Sequence, residues 1–278
     1  MITLKQLSFA YKKGNPVLDN INMKLLPGHI YGLLGRNGAG KSSLLYNLCG
    51  LLFPKSGQCR VLDHVPSERR PGFLQQVYLL PEVFSVPDVT IDRYLRIHAP
   101  FYPLFDEASF WHYLSVFDIA PGAELRKISF GQQKKMMISF ALSTHAKLLL
   151  MDEPTNGLDI PSKRQFRKVM AGALQPDQLF IISTHQVRDL DSLIDEVLIL
   201  DERRILLQES VESITGKLAF HQVMDPAEVT HPLFSEGALK GYAVVARNEG
   251  KEHTRLDMEM FFNAVLAEKQ QILPLFNR

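Results

Sequence analysis

Residues 35–42 read Gly35-Arg36-Asn37-Gly38-Ala39-Gly40-Lys41-Ser42, with a short apolar run at 30–34 before them and apolar residues at helical spacing over 42–50 after them. A strand, a glycine-rich loop and a helix in that order make a phosphate cradle, the Walker A loop. A polyanion needs backbone N–H donors converging on it, and bulky side chains would block that approach. Gly35, Gly38 and Gly40, with Asn37 and Ala39 between them, leave the loop backbone open. Lys41 adds a point charge. The helix start, through Ser42 and Ser43, offers unsatisfied N–H groups and about half a unit of positive charge, while the Ser42 hydroxyl is a hard oxygen ligand for Mg²⁺. On background composition the pattern arises by chance in roughly one chain of this length in a hundred.

Outward from the loop, three more apolar runs end in polar residues: 148–151, 179–182 and 197–200. Their lack of alternation suits strands buried on both faces of a parallel sheet. Residues 129–145 and 163–174 carry helical periodicity, so strand and helix alternate as in an α/β fold with a mostly parallel sheet. The opening differs: 2–9 and 17–25 alternate imperfectly around a Lys-Lys-Gly-Asn-Pro turn and predict an antiparallel hairpin.

The run at 148–151 leads straight into Asp152-Glu153-Pro154. Ligands of open α/β sheets sit at the carboxyl ends of the strands, which aims both carboxylates at the phosphate crevice. Alone, an Asp-Glu pair merely ends a strand in two solvated acids; beside a phosphate loop the two acquire roles. Asp152 is the acidic partner of Ser42 in holding Mg²⁺. Glu153 orients or deprotonates the attacking water, a contribution of about 10²- to 10⁴-fold in rate.

Two regions interrupt the α/β pattern. Residues 83–127 lack a strong strand and hold Phe84, Tyr94, Phe101, Tyr102, Phe105, Phe110, Trp111, Tyr113 and Phe117, a density that predicts a small helical unit whose rings mostly fill its own core. Beyond residue 215, strands at 218–223 and 242–246 and an amphipathic helix at 257–268 read as a small α+β C-terminal appendage. The expected organisation is a domain at 1–215, containing a helical subdomain at 83–140, and an appendage at 216–278.

Composition narrows the partners. The 278 residues are 46% apolar, enough for a buried core, and 31 Lys and Arg against 30 Asp and Glu leave a net charge of +1. That balance supplies no electrostatic footprint for nucleic acid, so no nucleic-acid partner is expected. Cys49 and Cys59 are the two cysteines, too few and too far apart in sequence for a disulfide scaffold or a zinc site, and reduced thiols are expected. With no charged head before an apolar stretch and no apolar run of spanning length, the expectation is a chain neither secreted nor membrane-spanning.

The remaining motifs fall in the order of an ATP-binding cassette, the nucleotide-binding subunit of membrane transporters. Ile128-Ser129-Phe130-Gly131-Gln132-Gln133 resembles that family's signature motif, Asn156-Gly157-Leu158-Asp159 its D-loop, Ile182-Ser183-Thr184-His185 its switch histidine, and Tyr11 the aromatic that stacks on adenine. The resemblance covers residues 1 to about 210 and implies a P-loop NTPase core. Read from the residues alone, Ser129 and Gln132 form a capping box at a helix start, and 156–159 is a turn. The resemblance adds that Ser129, Gly131 and Gln132 contact the γ-phosphate of ATP held by a second subunit, that Asp159 links the two nucleotide sites, and that His185 hydrogen-bonds the γ-phosphate or the water.

Two positions depart from the family pattern. Glu82 follows 77–81 where the family places a metal-contacting Gln, and its carboxylate is a third candidate Mg²⁺ ligand beside Ser42 and Asp152; Phe130 stands where the family usually has glycine. Glu82 and the segment 101–106 resemble cassettes of bacterial ABC-2-type exporters. What the resemblance implies is an ATP- and Mg²⁺-dependent ATPase that pairs with a second cassette, identical or paralogous, and docks on an integral membrane permease from the inner face of the membrane, powering export. The alternative is a soluble relative acting on DNA or in translation; against it, no coiled-coil heptads lie between Lys41 and Asp152, and a single Walker loop is present.

Overall fold

The computed structural model describes residues 1–12, 14–187, 190–239, 241–250 and 253–276. Its strands are β1 (Ile2–Phe9), β2 (Leu18–Leu25), β3 (His29–Leu34), β4 (Ser56–Val61), β5 (Val77–Leu80), β6 (Leu148–Asp152), β7 (Leu179–Thr184), β8 (Glu196–Asp201), β9 (Arg204–Ser210), β10 (Leu218–Val223), β11 (Pro232–Gly237) and β12 (Tyr242–Arg247). Its helices are α1 (Lys41–Leu48), α2 (Pro71–Leu74), α3 (Ile91–His98), α4 (Glu107–Val116), α5 (Phe130–Ser143), α6 (Ile160–Ala171), α7 (Val211–Lys217), α8 (Met258–Ala267) and α9 (Lys269–Ile272).

The central sheet runs β5-β6-β7-β3-β8-β9. Its first five strands are parallel, and β9 folds back antiparallel on β8. The unbroken apolar runs have a direct cause. Leu148 and Leu150 of β6 enter one buried cluster with Leu33, Leu179 and Ile181, while Leu149 and Met151 enter a second with Leu34, Phe180 and Ile182. Alternate side chains thus leave opposite faces of one sheet, and both faces are covered.

One face carries α1 and the antiparallel sheet β2-β1-β4, in which the expected hairpin pairs Ile2 with Leu25. β4, which composition did not reveal, adds to the far side of β1. Only Cys59 and Val61 of its six residues are buried, so it offered no apolar run to read.

The opposite face carries α5, α6 and the helical unit of α3 and α4. Phe140 of α5 explains the aromatic density there: the rings of Tyr78, Tyr94, Tyr102, Phe105 and Phe110 stand around it at centroid distances of 5.0 to 6.3 Å. Tyr94, Phe110 and Phe117 are buried, Phe84, Tyr102, Phe105, Trp111 and Tyr113 partly so, and Phe101 is exposed.

The segment expected as an appendage forms the sheet β10-β12-β11 with α8 and α9. Its buried Leu218, Val245 and Phe261 share a cluster with Val197 and Ile199 of β8, and Lys269 pairs with Asp201 at 2.9 Å and Glu202 at 2.7 Å. Among the described residues, no helix is long and apolar enough to cross a membrane.

Candidate functional site

β3 delivers the chain to the phosphate loop with Leu33 and Leu34 fully buried. Gly38 and Gly40 take φ of 79° and 107°, the left-handed region open to glycine. A Cβ on Gly35 would stand 2.5 Å from the Leu200 carbonyl oxygen, which leaves no room for any other residue. Gly40 is also the N-cap of α1 and brings no side-chain cap. The first N–H groups of α1 therefore have neither an intrahelical acceptor nor a capping side chain, the arrangement that receives an anion.

A cleft of about 470 Å³ opens over this helix start, lined by Tyr11, Asn37, Gly38, Gly40, Lys41, Ser42, Ser43, Glu82, Asp152, Glu153 and His185 among the residues singled out from sequence. Gly35 and Ala39 shape the loop from beneath: the Gly35 carbonyl accepts from Lys41 Nζ at 2.8 Å, and Ala39 N–H donates to the Arg36 carbonyl at 3.1 Å. Arg36, within the loop read from sequence, and Val17, which was not anticipated, also line the cleft.

Lys41, 7% exposed, is the first residue of α1, and its Nζ lies 3.5 Å from Glu153 Oε1. His185 reaches Glu153 from the end of β7, with Nδ1 2.8 Å from the same oxygen. Glu153 itself takes φ 48°. That is unusual for a residue with a Cβ, and the strain belongs to the turn that swings its carboxylate into the cleft. Its N–H is held by the Ser183 carbonyl at 3.1 Å and the Ser183 hydroxyl at 3.2 Å.

Asp152 ends β6 directly opposite Ser183 of β7, and its buried carboxylate accepts from the Ser183 hydroxyl. The donor set suits Mg²⁺. Ser42 and Asp152 bring a hydroxyl and a carboxylate to the phosphate-binding cleft, and no cluster of three His, Cys, Asp or Glu able to cage a metal exists among the described residues. Magnesium is commonly held by one or two carboxylates together with substrate phosphates. Ser183 lay within the quoted switch motif; the sign that it supports Asp152 was its place at a strand end beside the acid, which needs the sheet order to be read.

Tyr11 extends from the end of β1, its hydroxyl 3.0 Å from Ser43 Oγ and its ring edge-on to Phe9 at 4.9 Å. At 61% exposure it keeps a ring face free for a base.

The signature residues are elsewhere. Ser129 caps α5 and the capping box is complete, with Gln132 N–H donating to Ser129 Oγ at 3.2 Å and Ser129 N–H to Gln132 Oε1 at 3.1 Å. Neither Ser129, Gly131 nor Gln132 lines the cleft, and Ser129 is exposed. Gly131 packs on the 156–159 turn, where a Cβ would stand 3.2 Å from the Gly157 carbonyl oxygen. Asp159 caps α6, accepting from Ser162 N–H at 2.9 Å; hydrogen bonds from Ser162 hold its carboxyl below the usual carboxylate range. That cap starts the helix three residues before the expected 163.

Glu82 follows β5 and accepts from Asn156 Nδ2 at 3.0 Å. Lys134 was missed altogether. It lies on α5, 1% exposed, donating to the carbonyls of Glu153 at 3.2 Å and Asn156 at 2.9 Å. The available sign was its spacing: it precedes the buried Ile138 by one helical turn, on the face an unpaired charge avoids.

Residues 18–156 match the family described as "ABC transporter". The chain is 28% identical to the ABC transporter ATP-binding protein YtrB of Bacillus subtilis over 207 residues, 74% of this chain and 70% of that protein. It is equally 28% identical to the Nod factor export ATP-binding protein I of Cupriavidus metallidurans, over 68% of this chain and 64% of that one, so it spans about two thirds of the length of these relatives. A solved structure titled as the ATP binding subunit of an ABC transporter superposes with a TM-score of 0.67 at 23% identity, covering 76% of this chain and 90% of the other, which shows the fold.

Proposed function

The chain belongs to the ABC transporter family, and from that premise we propose that it is a transporter's ATP-binding subunit, hydrolysing ATP to drive a separate membrane permease. The observation that carries this reading is the convergence of Lys41 and His185 on Glu153 above the uncapped start of α1.

In this reading the α1 N-terminus, the open loop backbone and Lys41 bind the β- and γ-phosphates, and Tyr11 stacks on the adenine. Ser42 and Asp152 hold Mg²⁺, with Glu82 on the same cleft wall; the ion, when bound, neutralises charge on the phosphate oxygens. Glu153 accepts the proton of the attacking water. His185 keeps that carboxylate oriented and donates toward the γ-phosphate.

The signature residues do not line their own cleft, and the exposure of Ser129 supports contact of the helix tip with a second copy or a paralogue. Two subunits arranged head to tail enclose each ATP between residues 35–42 of one and 129–132 of the other, with Asp159 near the seam. Closure then depends on contacts made only when the γ-phosphate is present, and hydrolysis releases them. The subunit works at the inner face of the cell membrane, against the permease. Export rather than import is read from Glu82 and the segment 101–106, which resemble exporter cassettes, and the likeness to a Nod factor export protein agrees with it.

Sedimentation of the purified chain with Mg²⁺ and a non-hydrolysable ATP analogue tests the proposal. Nucleotide-dependent dimers are expected; a protein that neither retains the analogue nor self-associates sinks it.

A further inference from the structure

We propose that Lys134 positions Glu153 for hydrolysis and that Glu82 is the counter-ion of this buried lysine, the two being bridged by Asn156. The proposal rests on the hydrolytic reading of the cleft and assigns work to two residues at once.

Lys134 is 1% exposed, and a buried ammonium is costly unless its charge is met. Its Nζ donates to two backbone carbonyls, those of Glu153 at 3.2 Å and Asn156 at 2.9 Å, and stands 5.3 Å from the centre of the Phe130 ring. Carbonyl dipoles and an aromatic face stabilise a cation but do not neutralise it. The chain of contacts continues from Asn156. Its main-chain oxygen receives Lys134, and its side-chain Nδ2 donates to Glu82 Oε1 at 3.0 Å. Asn156 Oδ1 is buried with no partner among the described residues, so the bond to Glu82 sets the orientation of the amide. Burial pushes the Lys134 pKa down, and Glu82 is foremost among the carboxylates that oppose the shift, ahead of Glu153 and Asp152.

A glutamine at position 82 offers the same acceptor to Asn156 without the charge. What the carboxylate adds is the negative charge that a buried lysine on α5 requires. The second departure from the family pattern falls in the same place: Phe130 stacks on Phe84 at 5.3 Å with 24° between planes, two residues beyond Glu82. The loop after β5 and the first turns of α5 are thus joined twice, by stacked rings and by the Glu82–Asn156–Lys134 chain.

The consequence reaches the proposed base, Glu153, through its backbone. Glu153 sits at φ 48°, a strained conformation that persists only when its surroundings hold it. Ser183 fixes its N–H side, and Lys134 shares its carbonyl side with the Asn156 N–H, which donates to the same oxygen at 3.2 Å. Lys134 touches no reacting atom, which makes it a positioning residue.

The test is a double-mutant cycle in the full chain with Lys134→Met, Glu82→Gln and the pair, read by ATP turnover and by thermal midpoint without nucleotide. Lys134→Met should lower kcat by at least about tenfold, as expected for losing one charge-assisted hydrogen bond, while KM for ATP stays within about twofold. Lys134→Arg should recover part of the rate. Glu82→Gln should lower the midpoint by about 3 °C in the parent chain and hardly at all beside Lys134→Met. Turnover by Lys134→Met within about twofold of the parent overturns the positioning role. Additive midpoint losses overturn the counter-ion role. A parent chain that hydrolyses no ATP would overturn the hydrolytic reading and the positioning role with it, while the nucleotide-free midpoints still decide the Glu82–Lys134 link.

Discussion

His185 grips both oxygens of Glu153: Nδ1 lies 2.8 Å from Oε1, and the backbone N–H donates to Oε2 at 3.4 Å. With Lys41 Nζ 3.5 Å from Oε1, the carboxylate is held between a histidine on one strand end and the lysine that opens α1. In the proposed reading a γ-phosphate entering this cleft meets a carboxylate whose direction is already set, so orientation is separate from basicity and the two can be removed independently.

Glu153→Gln keeps the shape of the side chain and removes its basicity. Turnover should fall by about 10²- to 10⁴-fold while ATP still binds and dimers accumulate. Steady-state hydrolysis with parallel binding measurements checks this, and unchanged turnover would take Glu153 out of the role of base.

Ser183→Ala removes the hydroxyl that fixes the Asp152 carboxylate and one acceptor for the Glu153 N–H. Loss of such a supporting group should raise the Mg²⁺ concentration for half-maximal activity by about 10- to 100-fold, with ATP affinity little altered. A titration unmoved by the change would show that Asp152 needs no such support or holds no metal.

Tyr11→Ala should weaken ATP binding by about tenfold, the order of one lost base–aromatic stack. Tyr11→Phe loses only the 3.0 Å contact with Ser43 and should bind nearly as well as the parent. Equal losses in both variants would place the hydroxyl, not the ring, at the nucleotide.

The head-to-tail arrangement predicts complementation. Lys41→Ala and Ser129→Arg proteins, each inactive alone, should recover hydrolysis on mixing, because a mixed dimer contains one site with both an intact loop and an intact helix tip. No recovery across a range of mixing ratios would mean that Ser129 acts within its own chain or not at all.

Burial pushes the Cys49 thiol up to about 11 and the Cys59 thiol up to about 12. Both groups remain protonated at pH 8, and the thiolate is the reactive form. Iodoacetamide should leave the native protein unlabelled and modify two cysteines once it is unfolded in guanidinium, as counted by mass. Rapid native labelling at either position would show that its strand or helix opens readily.

The residues of the proposed site were legible wherever neighbours in sequence are neighbours in space. The loop at 35–42, the strand-end acids Asp152 and Glu153, and the capping box of Ser129 and Gln132 are local patterns, as backbone geometry couples residues a few positions apart. The continuous apolar runs announced a sheet buried on both faces for the same reason. β4 escaped notice because four of its six residues are exposed.

Tertiary structure alone settled what meets across the chain. Lys134 reaches carbonyls 19 and 22 positions away, Ser183 lies beside an acid 31 positions earlier, and Glu82 takes its hydrogen bond from Asn156, 74 positions on. Such pairings follow from strand order and from the face a helix turns inward. Packing of the whole core sets both, and a short stretch of residues contains neither.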